Sequence, residues 1–357
     1  MKNITILILL ITLSLLYSFC RGQQQETQRS PEYRDEIKLL FKNDLTPDPV
    51  ENICSDHHNK LCASLSGGQV IVWETSNGKK VCALRFDSGI RIEQFAFSHS
   101  GIYIATIGSI LMNEPGSPHG NFYQDSVNFA LWNAADGKLI NKYTFNQYES
   151  FSNIDFTLDD KNILLNNRGK IQTFDFQTEK LLNENHHDAS FGWFSPQSTY
   201  SIVYKNDRAN NISLAVWNIQ KDSLVFNLTT EININKTFSM PDMSKVVSMS
   251  YDERILTLLD IEYTTLKIWE MKTGKQVKII PIHVSQLYTG CISPNGKYYA
   301  TGSEKGEINI VELSSGNIIQ TYKDYSYNIY CILWSPDEKL IYAGYRNGTI
   351  IALRIIQ

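Results

Sequence analysis

The stretch ISPNGKYYATGSEKGEINIVE, residues 292–312, has a near copy later in the chain, WSPDEKLIYAGYRNGTIIALR, residues 334–354. Both keep one order: a Ser-Pro turn, an apolar strand, a small polar turn and a second apolar strand. Self-similarity at a period of about 20–50 residues is the signature of repeat architectures, so the number and spacing of the copies decide the fold.

The copies align on the residue that ends the second of these strands. Short runs rich in Val, Ile, Phe and Trp precede each anchor, and Asn-Gly, Asp-Gly and Thr-Gly turns separate the runs, which predicts an all-β array. The steps between anchors are 59, 42, 43, 52, 42 and 42 residues, so two of the seven copies carry insertions. The anchors are Trp73, Trp132, Phe174, Trp217, Trp269, Val311 and Leu353.

These units resemble the WD-repeat family, in which each unit runs strand A, a Ser-Pro-Asp-Gly-like turn, strand B, strand C ending in Trp-Asp, and strand D. The segments Ser293-Pro294-Asn295-Gly296 and Ser335-Pro336-Asp337 match the first turn. The resemblance covers roughly residues 36–357. It implies a seven-bladed β-propeller of four-stranded antiparallel blades.

The family pattern is incomplete in this chain. The Gly-His pair before strand A is missing, so the Asp–His–Ser–Trp hydrogen-bond network of the family cannot be complete. We therefore expect apolar packing between blades to contribute more of the stability. In place of the Asp after the anchor stand Glu74, Asn133, Asn218, Glu270 and Glu312.

The last copy ends after its third strand and needs an outer strand, because a ring must be closed and an open sheet edge is a liability. Residues 36–43 are predicted to supply this strand D from the N-terminal end of the chain. A helix is the alternative, since Ile37, Leu40 and Phe41 also fit helical spacing. The strand is favoured because the blade requires it.

The N-terminal segment is predicted to direct the chain into the secretory pathway. Residues 1–22 carry one Lys and an uncharged apolar run, which is typical of a signal peptide cleaved after Cys20 or Gly22. An uncleaved membrane anchor is the alternative. Residues 23–35 are polar and read as a flexible lead-in. We expect a secreted or lumenal protein, associated with a membrane only if the segment remains as an anchor.

Cysteines and Asn-x-Ser/Thr sequons are the candidate sites of covalent modification. Cys54 and Cys62 flank a turn of the first unit on adjacent strands, so a disulfide between them is possible. The alternative is that all five cysteines after Cys20 are small buried hydrophobic residues. The sequons are no more numerous than chance would give, but they map to strand ends or loops: Asn211, Asn227, Asn235 and Asn347.

No local motif indicates catalysis or a metal site. Gly-x-Ser-x-Gly, phosphate-binding glycine loops, Cys-x-x-Cys and His-x-x-x-His are all missing. The pairs His57-His58 and His186-His187 are interpreted as structural or surface histidines, and the pairs Asp159-Asp160 and Asp252-Glu253 as turn residues. We expect no enzyme and no cofactor. The alternative is a metal-dependent hydrolase or lactonase with ligands from several blades at the channel mouth.

The two insertions and the charge indicate the class of partner. A net charge of −4 without basic runs excludes a nucleic-acid surface. One insertion falls at residues 108–127, between strands B and C. The other falls at residues 229–245, in a D–A loop or a B–C loop depending on the register. In a WD-repeat ring both loop types emerge on the narrower face, and long loops on a rigid scaffold commonly bind partners.

The resemblance therefore implies a non-enzymatic scaffold that binds a protein or peptide through this face. The alternative is that the loops are merely tolerated. The predicted contact residues are Leu111, Met112, His119, Phe122, Tyr123 and Phe238.

Overall fold

The computed structural model shows seven four-stranded antiparallel sheets. No helix occurs among the residues that it describes, and the chain is all-β there. The described residues are 38–44, 46–86, 89–113, 122–145, 151–167, 170–186, 191–206, 211–233, 247–260, 265–282, 287–324 and 327–355.

Each sheet is one blade, with strands A to D in chain order in blades 1 to 6, while blade 7 takes its strand D from the N-terminal part of the chain. The first strand of the chain is β1 (Lys38–Asp44). Blade 1 consists of β2 (Val50–Ser55), β3 (Leu61–Ser66), β4 (Gln69–Glu74) and β5 (Lys80–Leu84). Blade 2 consists of β6 (Arg91–Phe97), β7 (Tyr103–Asn113), β8 (Phe122–Asn133) and β9 (Leu139–Phe145). Blade 3 consists of β10 (Phe151–Phe156), β11 (Asn162–Asn167), β12 (Lys170–Asp175) and β13 (Lys180–His186).

The remaining blades follow the same order. Blade 4 consists of β14 (Phe191–Phe194), β15 (Tyr200–Asn206), β16 (Asn211–Asn218) and β17 (Ser223–Asn233). Blade 5 consists of β18 (Val247–Met249), β19 (Ile255–Asp260), β20 (Thr265–Glu270) and β21 (Lys275–Pro281). Blade 6 consists of β22 (Leu287–Ile292), β23 (Tyr298–Ser303), β24 (Glu307–Glu312) and β25 (Ile318–Lys323). Blade 7 consists of β26 (Ile329–Trp334), β27 (Leu340–Tyr345), β28 (Thr349–Arg354) and β1.

The blades form a closed ring. Strands A contact one another in six of the seven neighbouring pairs of blades, including β26 of blade 7 with β2 of blade 1, and blades 4 and 5 share one apolar cluster. Apolar clusters lie between neighbouring blades, for example between blades 2 and 3, where Phe129 packs with Phe174. Strands such as β11 and β23 are buried on both faces, as a blade packed between two others requires. The seven-bladed propeller predicted from the repeats is confirmed, and every anchor lies in a strand C.

The N-terminal strand closes the ring as predicted. β1 pairs antiparallel with β28, from Lys38 opposite Arg354 to Asp44 opposite Thr349. The helix alternative is wrong, because β28 would otherwise leave its backbone groups unpaired at the edge of blade 7. Phe41 of this strand is buried, and its ring meets Trp73 of blade 1 edge-on at 5.2 Å.

The A–B turns explain the Ser-Pro signature of the repeats. In every blade the first turn residue accepts a hydrogen bond on its side chain from the amide five positions later, as Ser293 Oγ does from Tyr298 N at 3.0 Å. The fourth turn residue has a positive φ, which is +72° at Gly296 and +61° at Glu338. The seven first residues are Asp56, Ser98, Thr157, Ser195, Ser250, Ser293 and Ser335.

Part of the family's tryptophan hydrogen bonding survives. The Trp132 indole N–H donates to the Thr106 hydroxyl at 2.8 Å inside blade 2. Trp73 occupies the same position in blade 1, and no described residue accepts a hydrogen bond from its indole N–H. Trp73 instead packs edge-on against Phe41 and Tyr342, so aromatic contacts hold it in place.

Candidate functional site

The first insertion is an extended β-hairpin on blade 2. β7 and β8 have 11 and 12 residues, against six in most other strands, and their pairing continues to Asn113 opposite Phe122. The insertion therefore lies between strands B and C, as the repeat spacing predicted. Among the predicted contact residues, Leu111 pairs with Gln124 and Met112 with Tyr123 along the backbone, while His119 lies outside the described residues.

The second insertion lies in a D–A loop. β17 of blade 4 runs to Asn233 and β18 of blade 5 begins at Val247, so the extra residues fall between these strands. The register that placed them between strands B and C is wrong, because residues 255–260 and 265–270 form the B and C strands of blade 5. Phe238 lies outside the described residues.

Both insertions belong to one face of the ring. Neighbouring strands of a blade are antiparallel, so its B–C and D–A connections emerge on one face, called here the B–C face. The A–B and C–D turns emerge on the opposite face, called here the A–B face. That both insertions emerge on the B–C face follows from the order of the strands and does not depend on their side chains.

The sequons lie at different depths in the blades. Asn211 begins β16 opposite Asn233, at the B–C face, and Asn347 lies in the B–C turn of blade 7. Asn227 is exposed but lies inside β17, opposite Ala215, so its expected place at a strand end or loop is wrong. Asn235 is outside the described residues.

The disulfide considered between Cys54 and Cys62 is not formed. Cys54 lies opposite Ala63, and Cys62 lies opposite Ser55, so the two residues are out of register by one position. Successive strand residues point to opposite faces of a sheet, and the two thiols accordingly pack in different apolar clusters. None of the five cysteines after Cys20 forms a disulfide.

The A–B face holds a cavity that the sequence did not reveal. Its volume is about 380 Å³, and every blade contributes to its lining. In each blade the residue two positions before the A–B turn lines it: Cys54, Ala96, Asp155, Trp193, Ser248, Cys291 and Leu333. Aligning the repeats on these turns shows the signal that could have found it, because Asp155 is the one charged residue in this set.

Asp155 is the carboxylate of the cavity. Its Oδ1 accepts a hydrogen bond from the Phe156 amide at 2.8 Å, and its Oδ2 accepts one from the Ser198 hydroxyl at 3.2 Å. Burial raises the pKa of Asp155 to about 7, because these two hydrogen bonds only partly offset the loss of hydration. At neutral pH the cavity therefore exchanges between an uncharged and an anionic form.

Acidic turn residues connect neighbouring blades on this face. Glu253 of blade 5 is buried and accepts hydrogen bonds from the Gln197 amide, at 2.9 Å, and from the Ser195 hydroxyl of blade 4. Glu338 of blade 7 accepts from the amide and side chain of Asn295 in blade 6. These carboxylates do more than form the turn, which was the role expected of Glu253.

Asp160 makes the same connection between blades 3 and 2. Its carboxylate accepts hydrogen bonds from the His99 and Ser100 amides at 2.6 and 2.7 Å. Asp160 had also been expected to act only in its own turn. Polar contacts thus support the ring beside the apolar packing that the sequence predicted, and they replace part of the family's missing network.

His57 is part of this face rather than an incidental surface histidine. Its ring stacks on His99 with centroids 4.5 Å apart and an angle of 7° between the planes. Burial, together with His99, lowers the pKa of His57 to about 4, so the ring is neutral near pH 7. The nitrogen lone pairs of the two rings lie in nearly parallel planes and do not converge on one point, which does not suit chelation of one ion.

Metal binding and membrane spanning find no support in the described chain. No group of three His, Cys, Asp or Glu side chains there is arranged to hold a metal ion. No helix in that part of the protein is long and apolar enough to cross a membrane. Residues 1–22, predicted to be a signal peptide or anchor, lie outside the described residues, as do His187 and Asp188.

Comparisons with known proteins agree with this architecture. The family model described as "WD domain, G-beta repeat" matches residues 316–351. Eukaryotic translation initiation factor 3 subunit I of Saccharomyces cerevisiae is 24% identical over 300 residues, which cover 78% of this chain and 80% of that protein. Human apoptotic protease-activating factor 1 is 23% identical over 226 residues, 55% of this chain and 18% of that protein.

A further similarity is local. The small ribosomal subunit protein RACK1z of Oryza sativa subsp. japonica is 30% identical over 95 residues, which cover 25% of this chain and 28% of that protein. The matched repeat model spans strands D of blade 6 to C of blade 7, where the Ser-Pro turn stands closest to the family pattern. With seven blades, the A–B turns and the closing strand in place, the chain is a seven-bladed β-propeller that is similar to the WD-repeat family.

Proposed function

We propose that this protein is a non-enzymatic scaffold of the secretory pathway or extracellular space that binds a protein or peptide through its B–C face. The observation that carries the proposal is the β7–β8 hairpin. Its pairing continues from Ser109 opposite Val127 to Asn113 opposite Phe122, so blade 2 is longer than its neighbours on this face. The D–A insertion between β17 and β18 adds to the same face.

The similarity to WD-repeat proteins supports a protein-interaction scaffold. A long paired hairpin offers a partner an ordered backbone, which lowers the conformational entropy lost on binding. The aromatic residues Phe122 and Tyr123 begin β8 at the far end of this hairpin, and such residues are enriched at the centres of protein interfaces.

The test is native purification of the full-length protein from its own source, followed by mass spectrometry. The double variant Phe122→Ala/Tyr123→Ala is compared with the wild type. We expect the amount of a stoichiometric partner that copurifies to fall at least fivefold in the double variant. Truncating an aromatic hot-spot residue of an interface costs about 2 kcal/mol or more of binding free energy. The same spectra test the secretory route, since a cleaved signal leaves a chain that begins after Cys20 or Gly22.

The matched control removes two exposed apolar side chains from the opposite face. Ile102 and Leu158 lie in A–B turns with exposed fractions of 52% and 58%. The variant Ile102→Ala/Leu158→Ala should keep every partner. If the hairpin variant also keeps every partner at unchanged abundance, binding through the B–C face is refuted. An uncleaved N-terminus would refute secretion as a free protein.

A further inference from the structure

The cavity on the A–B face contains one carboxylate in an otherwise uncharged wall. Its lining includes no Lys or Arg, and Asp155 is its only acidic residue. The two hydrogen bonds that Asp155 accepts do not use all the lone pairs of its carboxylate, which can accept further hydrogen bonds from a ligand. A buried carboxylate is stabilised best by a cation, and within the described chain none of the groups that influence Asp155 is a Lys or Arg.

The remaining wall suits an aliphatic chain that carries the cation. Aromatic side chains from four blades line the cavity, among them Phe97, Trp193 and Trp334. Met249 and Ile292 add flexible and branched apolar surface. Aromatic faces attract ammonium and guanidinium groups, and long cationic side chains bury their methylene stems along apolar surface. The volume of about 380 Å³ is in the range of small-ligand sites.

We propose that this cavity binds an ammonium or guanidinium group at the end of an aliphatic stem, with Asp155 as the counter-ion. Lysine and arginine side chains and free alkylamines share this chemistry. The site lies on the face opposite the β7–β8 hairpin and is independent of the binding surface proposed above.

Neighbouring titratable groups leave Asp155 as the main charge that a ligand meets. His57 is neutral above pH 5 because its pKa is lowered to about 4 by burial and by His99. The thiols of Cys54 and Cys291 are neutral because burial raises the pKa of each to about 12. Tyr251 also lines the cavity.

Asp160 is the other acid that acts on Asp155, and it already accepts hydrogen bonds from two backbone amides of blade 2. Binding is therefore expected to follow the ionisation of Asp155. A group with a pKa of about 7 is about one-tenth ionised at pH 6 and about nine-tenths ionised at pH 8. The affinity for a cation should rise about tenfold across this interval.

The experiment titrates the full-length protein with butylammonium chloride at pH 8 and follows the fluorescence of Trp193 and Trp334 against variants in which each is replaced by Phe. 1-Butanol is the uncharged probe of matched length. We expect saturable binding of butylammonium, with 1-butanol at least tenfold weaker. Asp155→Asn keeps the size of the side chain and one acceptor oxygen but removes the charge, and it should weaken butylammonium binding at least tenfold.

Asp159→Asn is the matched control, because Asp159 is a carboxylate of the adjacent turn whose side chain is 54% exposed and does not line the cavity. It should change the affinity less than twofold. The proposal is overturned if butylammonium does not bind, if 1-butanol binds as tightly, or if Asp155→Asn binds as well as the wild type. These results leave the hairpin experiment unaffected, so the two proposals fail separately.

The source of the cation is then read from a blocked tripeptide, acetyl-Gly-Lys-Gly-amide, and its Nε-acetylated form. If the unmodified tripeptide binds at least as tightly as butylammonium and the acetylated tripeptide does not bind, the site takes a side chain of a partner peptide. Binding of butylammonium without binding of the peptide assigns it to a free alkylamine. Both outcomes keep Asp155 as the counter-ion.

Discussion

Replacing Phe41 by Ala should destabilise the closure of the ring more than any other single change in β1. Phe41 is 9% exposed and packs edge-on against Trp73 at 5.2 Å. It also lies against Gly78 of the C–D turn of blade 1, where a Cβ would come within 2.5 Å of the Phe41 ring. The aromatic ring therefore fills the join between blades 7 and 1.

The magnitude follows from the buried side chain. Phe→Ala in a packed core costs about 3–5 kcal/mol of unfolding free energy, of which the edge-on pair contributes about 0.5–1.5 kcal/mol. In a domain of this size about 2 °C of melting temperature is lost per kcal/mol, so a decrease of about 6–10 °C is expected. The assay is thermal unfolding followed by circular dichroism, with urea unfolding as a second measure.

Leu39 provides the matched control. It lies in the same strand, pairs with Leu353 and is 46% exposed, so Leu39→Ala should change the free energy by no more than about 0.5 kcal/mol. If Phe41→Ala lowers the melting temperature no more than Leu39→Ala, then β1 does not close the ring in solution and the assignment of the closing strand is refuted.

Two further predictions concern the A–B face. Glu253→Ala leaves the Ser195 hydroxyl and the Gln197 amide without their acceptor, and it should lower the free energy of unfolding measured in urea by about 1–3 kcal/mol. The control Glu304→Ala, at an exposed turn, should leave this free energy unchanged. Equal effects of the two substitutions would contradict the inter-blade role of Glu253. His57 has a pKa of about 4 in the folded protein against about 6.5 unfolded, so only the unfolded state takes up its proton in this window. Stability should therefore fall between pH 6.5 and pH 4, and it should fall less in His57→Asn than in the wild type or in His58→Asn; parallel pH profiles would exclude this linkage.

The repeats predicted the architecture because the signals of blade geometry are local. A Ser, Thr or Asp at the first position of the A–B turn and a residue that accepts positive φ at its fourth position specify this turn, as at Ser293 and Gly296. Seven such turns, with seven anchors in strand C, determine the number of blades. The closing strand could also be predicted, because the sheet of β28 required a partner that only the N-terminal segment supplied.

The cavity and the contacts between blades were not predicted, because they depend on how units distant in sequence meet. The sequence of β10 alone does not show that Asp155 lines a cavity. This position is evident only when the equivalent residues of the six other blades are placed around it. Glu253 likewise resembles an ordinary turn acid until blade 4 is placed beside it. The disulfide interpretation was wrong for a related reason, since a shift of one residue in register places Cys54 and Cys62 on opposite faces.

The pairing of β1 with β28 also determines when the ring of blades can close during folding. The ribosome makes β1 first and β28 last among the strands of the propeller. Lys38 therefore has no pairing partner until every other strand of the ring has been made. Until then β28 and β27 have no fourth strand, and an unpaired β edge invites strands from other nascent chains. The ring can therefore close only after its last blade has been made, and the yield of native protein should depend on how quickly the chain pairs β28 with its own first strand instead of that of a neighbour.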